Sequence, residues 1–167
     1  MAESRYEKYI VRKPAIVMRD YSDKVPRPDK IRNESPIYTG IRVMFSKKFV
    51  QEANSMVEYC YISGDITLGT GQDFEPHKHD YGEIFLFLGT NTEDTSDLGA
   101  EVEFWLGEGE ELEKVVFNTS SSLYIPPGVA HYPQIWRNVR RPVMMVVVIP
   151  TSGERILKLV PLEGRRI

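Results

Sequence analysis

Short apolar runs, many of them alternating with polar residues, recur along the chain from Ile37 onward. In Glu101–Leu106 the apolar Val102, Phe104 and Leu106 alternate with Glu101, Glu103 and Trp105, the period-2 pattern of a half-buried antiparallel strand. Runs at Ile37–Phe45, Val57–Ser63, Glu83–Leu88, Glu113–Phe117, Leu123–Ile125, Tyr132–Asn138, Val143–Ile149 and Arg155–Val160 predict further strands. Val143–Ile149 is apolar throughout and lies between Pro142 and Pro150, so it predicts a buried strand.

Turn chemistry separates most of these runs. Gly64-Asp65, Gly69-Thr70-Gly71, Gly107-Glu108-Gly109, Pro126-Pro127-Gly128 and Thr151-Ser152-Gly153 combine glycine, which supplies positive φ, with proline, which fixes a corner. Gly89–Gly99 is polar and without periodicity, which predicts a long surface loop. Only Lys47–Asn54 and the Glu-rich stretch Glu110–Lys114 offer a helical turn or two. Residues 1–36 are rich in proline and charge and read as an extended N-terminal arm with short strands at Tyr9–Arg12 and Ala15–Met18. Residues 37–167 then form one domain. Many short strands with regular turns and no strand–helix–strand spacing predict an all-β sandwich or barrel.

The 167-residue length suits one core that needs no disulfide or structural metal. The single cysteine, Cys60, excludes an internal disulfide framework and reads as a small buried residue. Lys+Arg 21 against Asp+Glu 24 gives a net charge of -3, which argues against a nucleic-acid partner. The longest apolar run is far short of the ~20 residues of a spanning helix, so no membrane partner is expected. Charges in MAESRYEKYIVRKP stand where a secretory leader needs an apolar stretch, so a cytoplasmic location is expected. Asn118-Thr119-Ser120 matches a glycosylation acceptor only formally.

The three histidines carry the chemistry. His77 and His79 are two residues apart and precede Glu83, so positions 77, 79 and 83 share parity and converge if the pairing is continuous. His131 follows the Pro126-Pro127-Gly128 turn and leads into a strand. Imidazoles and a carboxylate suit a borderline divalent metal such as Fe, Mn, Ni, Cu or Zn. Such a set leaves positions open on a six-coordinate ion, as a closed structural site does not.

In these residues the chain resembles the cupin superfamily. Gly71, His77-Lys78-His79, Glu83 and Gly89 match the first cupin motif, and Pro126-Pro127-Gly128 with His131 matches the second. Five residues rather than six separate Glu83 from Gly89, and Ser120 and Ile135 stand where the second motif carries Gly and Asn. The resemblance covers about residues 57–149. It implies a double-stranded β-helix, the cupin jelly roll barrel, with a divalent transition metal held inside by His77, His79, Glu83 and His131. It also implies a homodimer, in which the arm at residues 1–36 is a candidate exchanged element.

Function is less determined than fold. The leading reading is a metalloenzyme acting on a small organic molecule. With every histidine assigned to the metal, acid–base work falls to a carboxylate, a tyrosine or metal-bound hydroxide. Dioxygen chemistry demands least of such a base, so oxygenase leads over isomerase, decarboxylase or lyase. The alternatives are a non-catalytic cupin that binds or senses a small molecule, and a barrel that the metal only stiffens. Phe85 and Phe87 share the inward parity of Glu83 and either line a substrate pocket or fill the core. In Val57–Ser63 either Tyr59 and Tyr61 or Glu58, Cys60 and Ile62 point inward, and the tyrosines are further candidates for the pocket. Arg137, Arg140 and Arg141 either grip an anion or face solvent.

Overall fold

The structure is a computed structural model that describes residues 5–16, 35–70, 75–151 and 158–165. Twelve strands are described: β1 Ala15–Ile16, β2 Arg42–Phe45, β3 Met56–Ile62, β4 Ile66–Leu68, β5 His77–Lys78, β6 Glu83–Leu88, β7 Asp97–Leu106, β8 Glu113–Thr119, β9 Ser121–Ile125, β10 His131–Arg137, β11 Val143–Ile149 and β12 Lys158–Leu159. They form two sheets, ordered β1-β2-β3-β11-β6-β9 and β12-β5-β10-β7-β8, with β4 added against β10. Every strand pairing described is antiparallel. The chain crosses repeatedly between the sheets, as a jelly roll requires.

Alternation sets what β3, β6 and β11 bury, whereas β7 and β10 are covered on both faces, so that Glu103 and Trp105 are buried where the period of two left a half-exposed strand. On β6, Glu83, Phe85 and Phe87 are buried while Ile84 and Leu86 are half-buried. On β11, Val143, Met145, Val147 and Ile149 are buried in the same way, and pairing Val147 with Phe85 and with Glu58 makes one inward row across three strands. From the second sheet Val102, Phe104 and Trp136 meet this row, and Phe85 packs edge-to-face on Phe104 with ring centroids 5.3 Å apart. Each such ring contributes roughly 1.5–3 kcal/mol through removal from water.

A β-bulge shapes the start of β10. The register with β7 shifts between His131 and Gln134, and Tyr132 takes a φ of 78°. β10 is buried on both faces from His131 to Trp136, and the extra residue resets the alternation between His131 and Gln134. Strict alternation would send them to opposite faces.

Several sequence expectations need correction. Glu7–Tyr9 is a 3-10 turn and residues 10–12 form no strand; Arg12 bonds back to Glu7 at 2.8 Å, and among the described residues no strand pairs with the segment. Of Ala15–Met18, Ala15–Ile16 pairs with β2 and the rest lies outside the described residues, as does 155–157 of the run Arg155–Val160. The strand expected over Ile37–Phe45 occupies only Arg42–Phe45, because Tyr38 bridges instead to Ser35 and Ile62. The loop expected over Gly89–Gly99 ends early, since β7 starts at Asp97 opposite Thr119. Lys47–Asn54 forms hydrogen-bonded turns, and Gly109–Glu111 a single 3-10 turn. Strands β4 and β5 are too short for a period to be read from sequence.

Candidate metal centre

Backbone pairing brings the candidate residues together. His77 opens β5 and His131 opens β10, and the two are register partners with ring centroids 4.4 Å apart. Glu83 opens β6 in the other sheet, and His79 lies in the crossing between β5 and β6. The continuous pairing that the shared parity of 77, 79 and 83 assumed is therefore interrupted, and the residues converge because the chain folds from one sheet to the other. The amide of Gly128 donates to the carbonyl of His79 at 2.7 Å, joining the proline–glycine turn to the histidine segment. Gly128 has a φ of +84°, where a side chain is strained.

All four side chains are buried, at 6% exposure for His77, 3% for His79 and Glu83, and 0% for His131. One ring nitrogen from each histidine lies within 4.8 Å of the others. The opposite nitrogens are committed to backbone. His77 Nδ1 donates to the Glu75 carbonyl at 2.7 Å, His79 Nδ1 to that of Tyr81 at 2.6 Å and His131 Nδ1 to that of Val129 at 3.2 Å. A carbonyl only accepts, so each neutral ring presents its Nε2 as a lone pair.

Two of these lone pairs face the same carboxylate oxygen. Glu83 Oε2 is 3.2 Å from His79 Nε2 and 3.1 Å from His131 Nε2. His131 Nε2 is buried at that distance without forming a hydrogen bond. Acceptor set against acceptor is repulsive unless a proton or a shared cation lies between them, and three imidazoles with a carboxylate suit a divalent transition ion. Burial, together with the neighbouring His131, lowers the His77 pKa to about 3, so this ring stays neutral and available at physiological pH. The three buried histidines could therefore hold a metal ion.

No protein-family model and no curated protein matches the chain. Solved structures do. Oxalate oxidase in complex with glycolate matches with a TM-score of 0.51 and 15% identity, over 85% of this chain and 64% of that one. Oxalate decarboxylase matches with 0.52 and 8%, over 77% and 29%, and vicilin from hazelnut (Corylus avellana) with 0.53 and 10%, over 80% and 35%. This chain has the cupin fold. It spans about 64% of the length of the oxalate oxidase chain it matches.

Within the cupin barrel the remaining candidates fall into place. Gly71 of the first motif lies outside the described residues. A Cβ on Gly89 would stand 2.2 Å from the Asp97 carbonyl oxygen, which is why the motif closes on glycine. Its amide donates to Ser120 Oγ at 3.1 Å, so the serine ties the two motif ends together. Phe85 and Phe87 are in the core, and Phe85 lies 6.2 Å from the His131 ring.

The structure does not place Tyr59 and Tyr61 in a pocket. Tyr61 is 40% exposed and Tyr59 is half-buried, on the face opposite the buried Glu58, Cys60 and Ile62. The inward set contains the charged residue and the outward set is apolar, so hydrophobicity alone points the wrong way. Arg140 and Arg141 bind Asp97 at 3.0 and 2.7 Å, and Arg137 binds Glu103 at 3.3 Å, so these guanidinium groups serve internal ion pairs.

Three further buried groups were not put forward as site residues by the sequence reading. Tyr132, 4% exposed, stacks on His77 with centroids 5.7 Å apart. Burial, then the Glu83 carboxylate, pushes its phenol well above the ordinary value and keeps it a donor. Glu58, 3% exposed, is the inward carboxylate of β3. Arg165, 7% exposed, reaches the Tyr132 carbonyl at 2.9 Å. Only Glu58 left a trace, as the one charge within an apolar strand. Tyr81 lies flat on His79, with centroids 3.9 Å apart.

Proposed function

We propose that this cupin is a metalloenzyme acting on a small organic molecule, with oxygenase chemistry as its leading form. The observation that carries the reading is the set of Nε2 lone pairs of His79 and His131 aimed at one Glu83 oxygen in a buried site, with His77 beside them. His77, His79, Glu83 and His131 would hold the ion. A bound Fe or Mn ion would supply a Lewis acid and a place for substrate or dioxygen to coordinate. The Tyr132 ring stacks on His77 and its hydroxyl, kept protonated, would serve as a donor, while the buried Glu58 would be the candidate proton acceptor. Phe85 supplies an apolar wall that strengthens these polar contacts.

Oxalate is the first substrate to test, because two structures with this fold are named as oxalate oxidase and oxalate decarboxylase. The test is elemental analysis of protein purified anaerobically, with His131→Ala as control, followed by oxygen uptake on adding oxalate and other small carboxylic acids. Stoichiometric Fe or Mn with oxygen uptake bears the proposal out. Metal without turnover reduces the chain to a binding cupin, and no metal in the wild type overturns the reading.

We further propose that the chain acts in the cytoplasm as a homodimer; among the described residues no helix is long and apolar enough to cross a membrane. The outer face of the first sheet supports the homodimer. There Tyr61, Met144 and Leu88 form one row and Tyr59, Val146 and Leu86 the next, all at least partly exposed and without a charge among them. Contiguous apolar rows of this kind mark association surfaces.

A further inference from the structure

We infer that the segment Lys158–Arg165 positions the metal centre, its strand β12 fixing His77 and its Arg165 fixing His131. The inference rests on the metal reading above and adds residues outside both cupin motifs. Leu159 of β12 is the register partner of His77, and the Val160 amide donates to the Pro76 carbonyl at 2.9 Å. The strand end that carries His77 is therefore held between β12 and His131 of β10. Gly164 then turns the chain with a φ of +81°, and Arg165 enters the protein.

The Arg165 guanidinium donates to three carbonyls: Nε to Tyr132 at 2.9 Å, Nη2 to Gly107 at 2.6 Å and Nη1 to Pro161 at 2.7 Å. Two of these flank the same metal-ligating residue. Tyr132 follows His131, and Gly107 follows Leu106, the register partner of His131 on β7. Tyr132 also carries the positive φ of the bulge that aims His131 into the barrel. A planar fork of donors fixes both carbonyls at once, which the single ammonium of a lysine does not do. Nearby, Lys78 of β5 pairs with Glu108, next to Gly107, so the strand bearing His77 is tied to the same corner. His131 has the longest of the three Nδ1 contacts, at 3.2 Å, to the carbonyl of Val129 two residues before it.

The test uses the full chain with Arg165→Lys and, as a second variant, Arg165→Gln. Imidazole nitrogen NMR of the metal-free protein at pH 8 reports each tautomer, and competition with a chelator reports Co(II) affinity. In the wild type all three rings carry the proton on Nδ1. In the variants His131 becomes a tautomer mixture while His79, whose acceptor Tyr81 lies outside this corner, keeps its form, and Co(II) affinity falls ~10–100-fold. A folded Arg165→Lys protein with wild-type His131 signals and wild-type Co(II) affinity overturns the inference, even if its melting temperature drops. A wild type that takes up no Co(II), with the His131 signals still shifting in the variants, overturns the metal reading and leaves the positioning of the ring standing.

Discussion

Acidification of the metal-free protein gives a direct measure of how the barrel treats His77. The ring is buried against His131, His79, Tyr132 and Glu83, and its Nδ1 is held by the Glu75 carbonyl. Desolvation and the neighbouring His131 lower its pKa from 6.5 to about 3, against the smaller opposing pull of the Glu75 carbonyl and Glu83. The unfolded chain therefore binds a proton that the folded chain refuses throughout that window. Stability is unaffected by this group above about pH 6.5 and falls as pH drops below it, by up to 1.36 kcal/mol per pH unit, so about 2 kcal/mol is lost by pH 5. Urea unfolding in the presence of a chelator, from pH 8 to pH 5, measures the loss. His77→Asn keeps a donor for the Glu75 carbonyl and removes the titration. The stability gap between wild type and His77→Asn is expected to narrow by about 2 kcal/mol over that range. Parallel pH curves for the two proteins would refute the reasoning.

Other substitutions address single elements. Phe85→Ala removes a ring with 1% exposure from between the sheets and is expected to cost about 3–5 kcal/mol in urea unfolding. Gly89→Ala places a Cβ 2.2 Å from the Asp97 carbonyl and 3.0 Å from the Leu98 Cα, backbone atoms that do not yield cheaply, and should cost about 1–3 kcal/mol in the same assay. Glu83→Gln removes the carboxylate that faces His79 and His131, and Co(II) affinity measured by chelator competition should fall at least ~10-fold. Combined Tyr61→Glu and Leu88→Glu set charges into one outward row, so sedimentation equilibrium is expected to find a dimer for the wild type, as proposed, and a monomer for the variant.

The sequence by itself determined the fold class, because the period of two, the glycine and proline turns and the lack of helix-length patterns are local properties. It also named His77, His79, Glu83 and His131, since few histidines stand at motif spacing. Their convergence was a tertiary outcome. Shared parity holds only along one unbroken strand, whereas His77 and Glu83 sit on different sheets and meet because the chain crosses between them. The direction of β3 was likewise decided by packing. Alternation marks two faces without saying which one is covered, and here the face with Glu58 turns inward while Tyr59 and Tyr61 turn out. The aim of His131 depends on a bulge at Tyr132, and the Arg165 contacts to Gly107 and Tyr132 span 58 and 33 residues of chain. Local pattern does not encode such contacts, because they arise only when closure of the barrel brings distant backbone carbonyls within reach of one side chain.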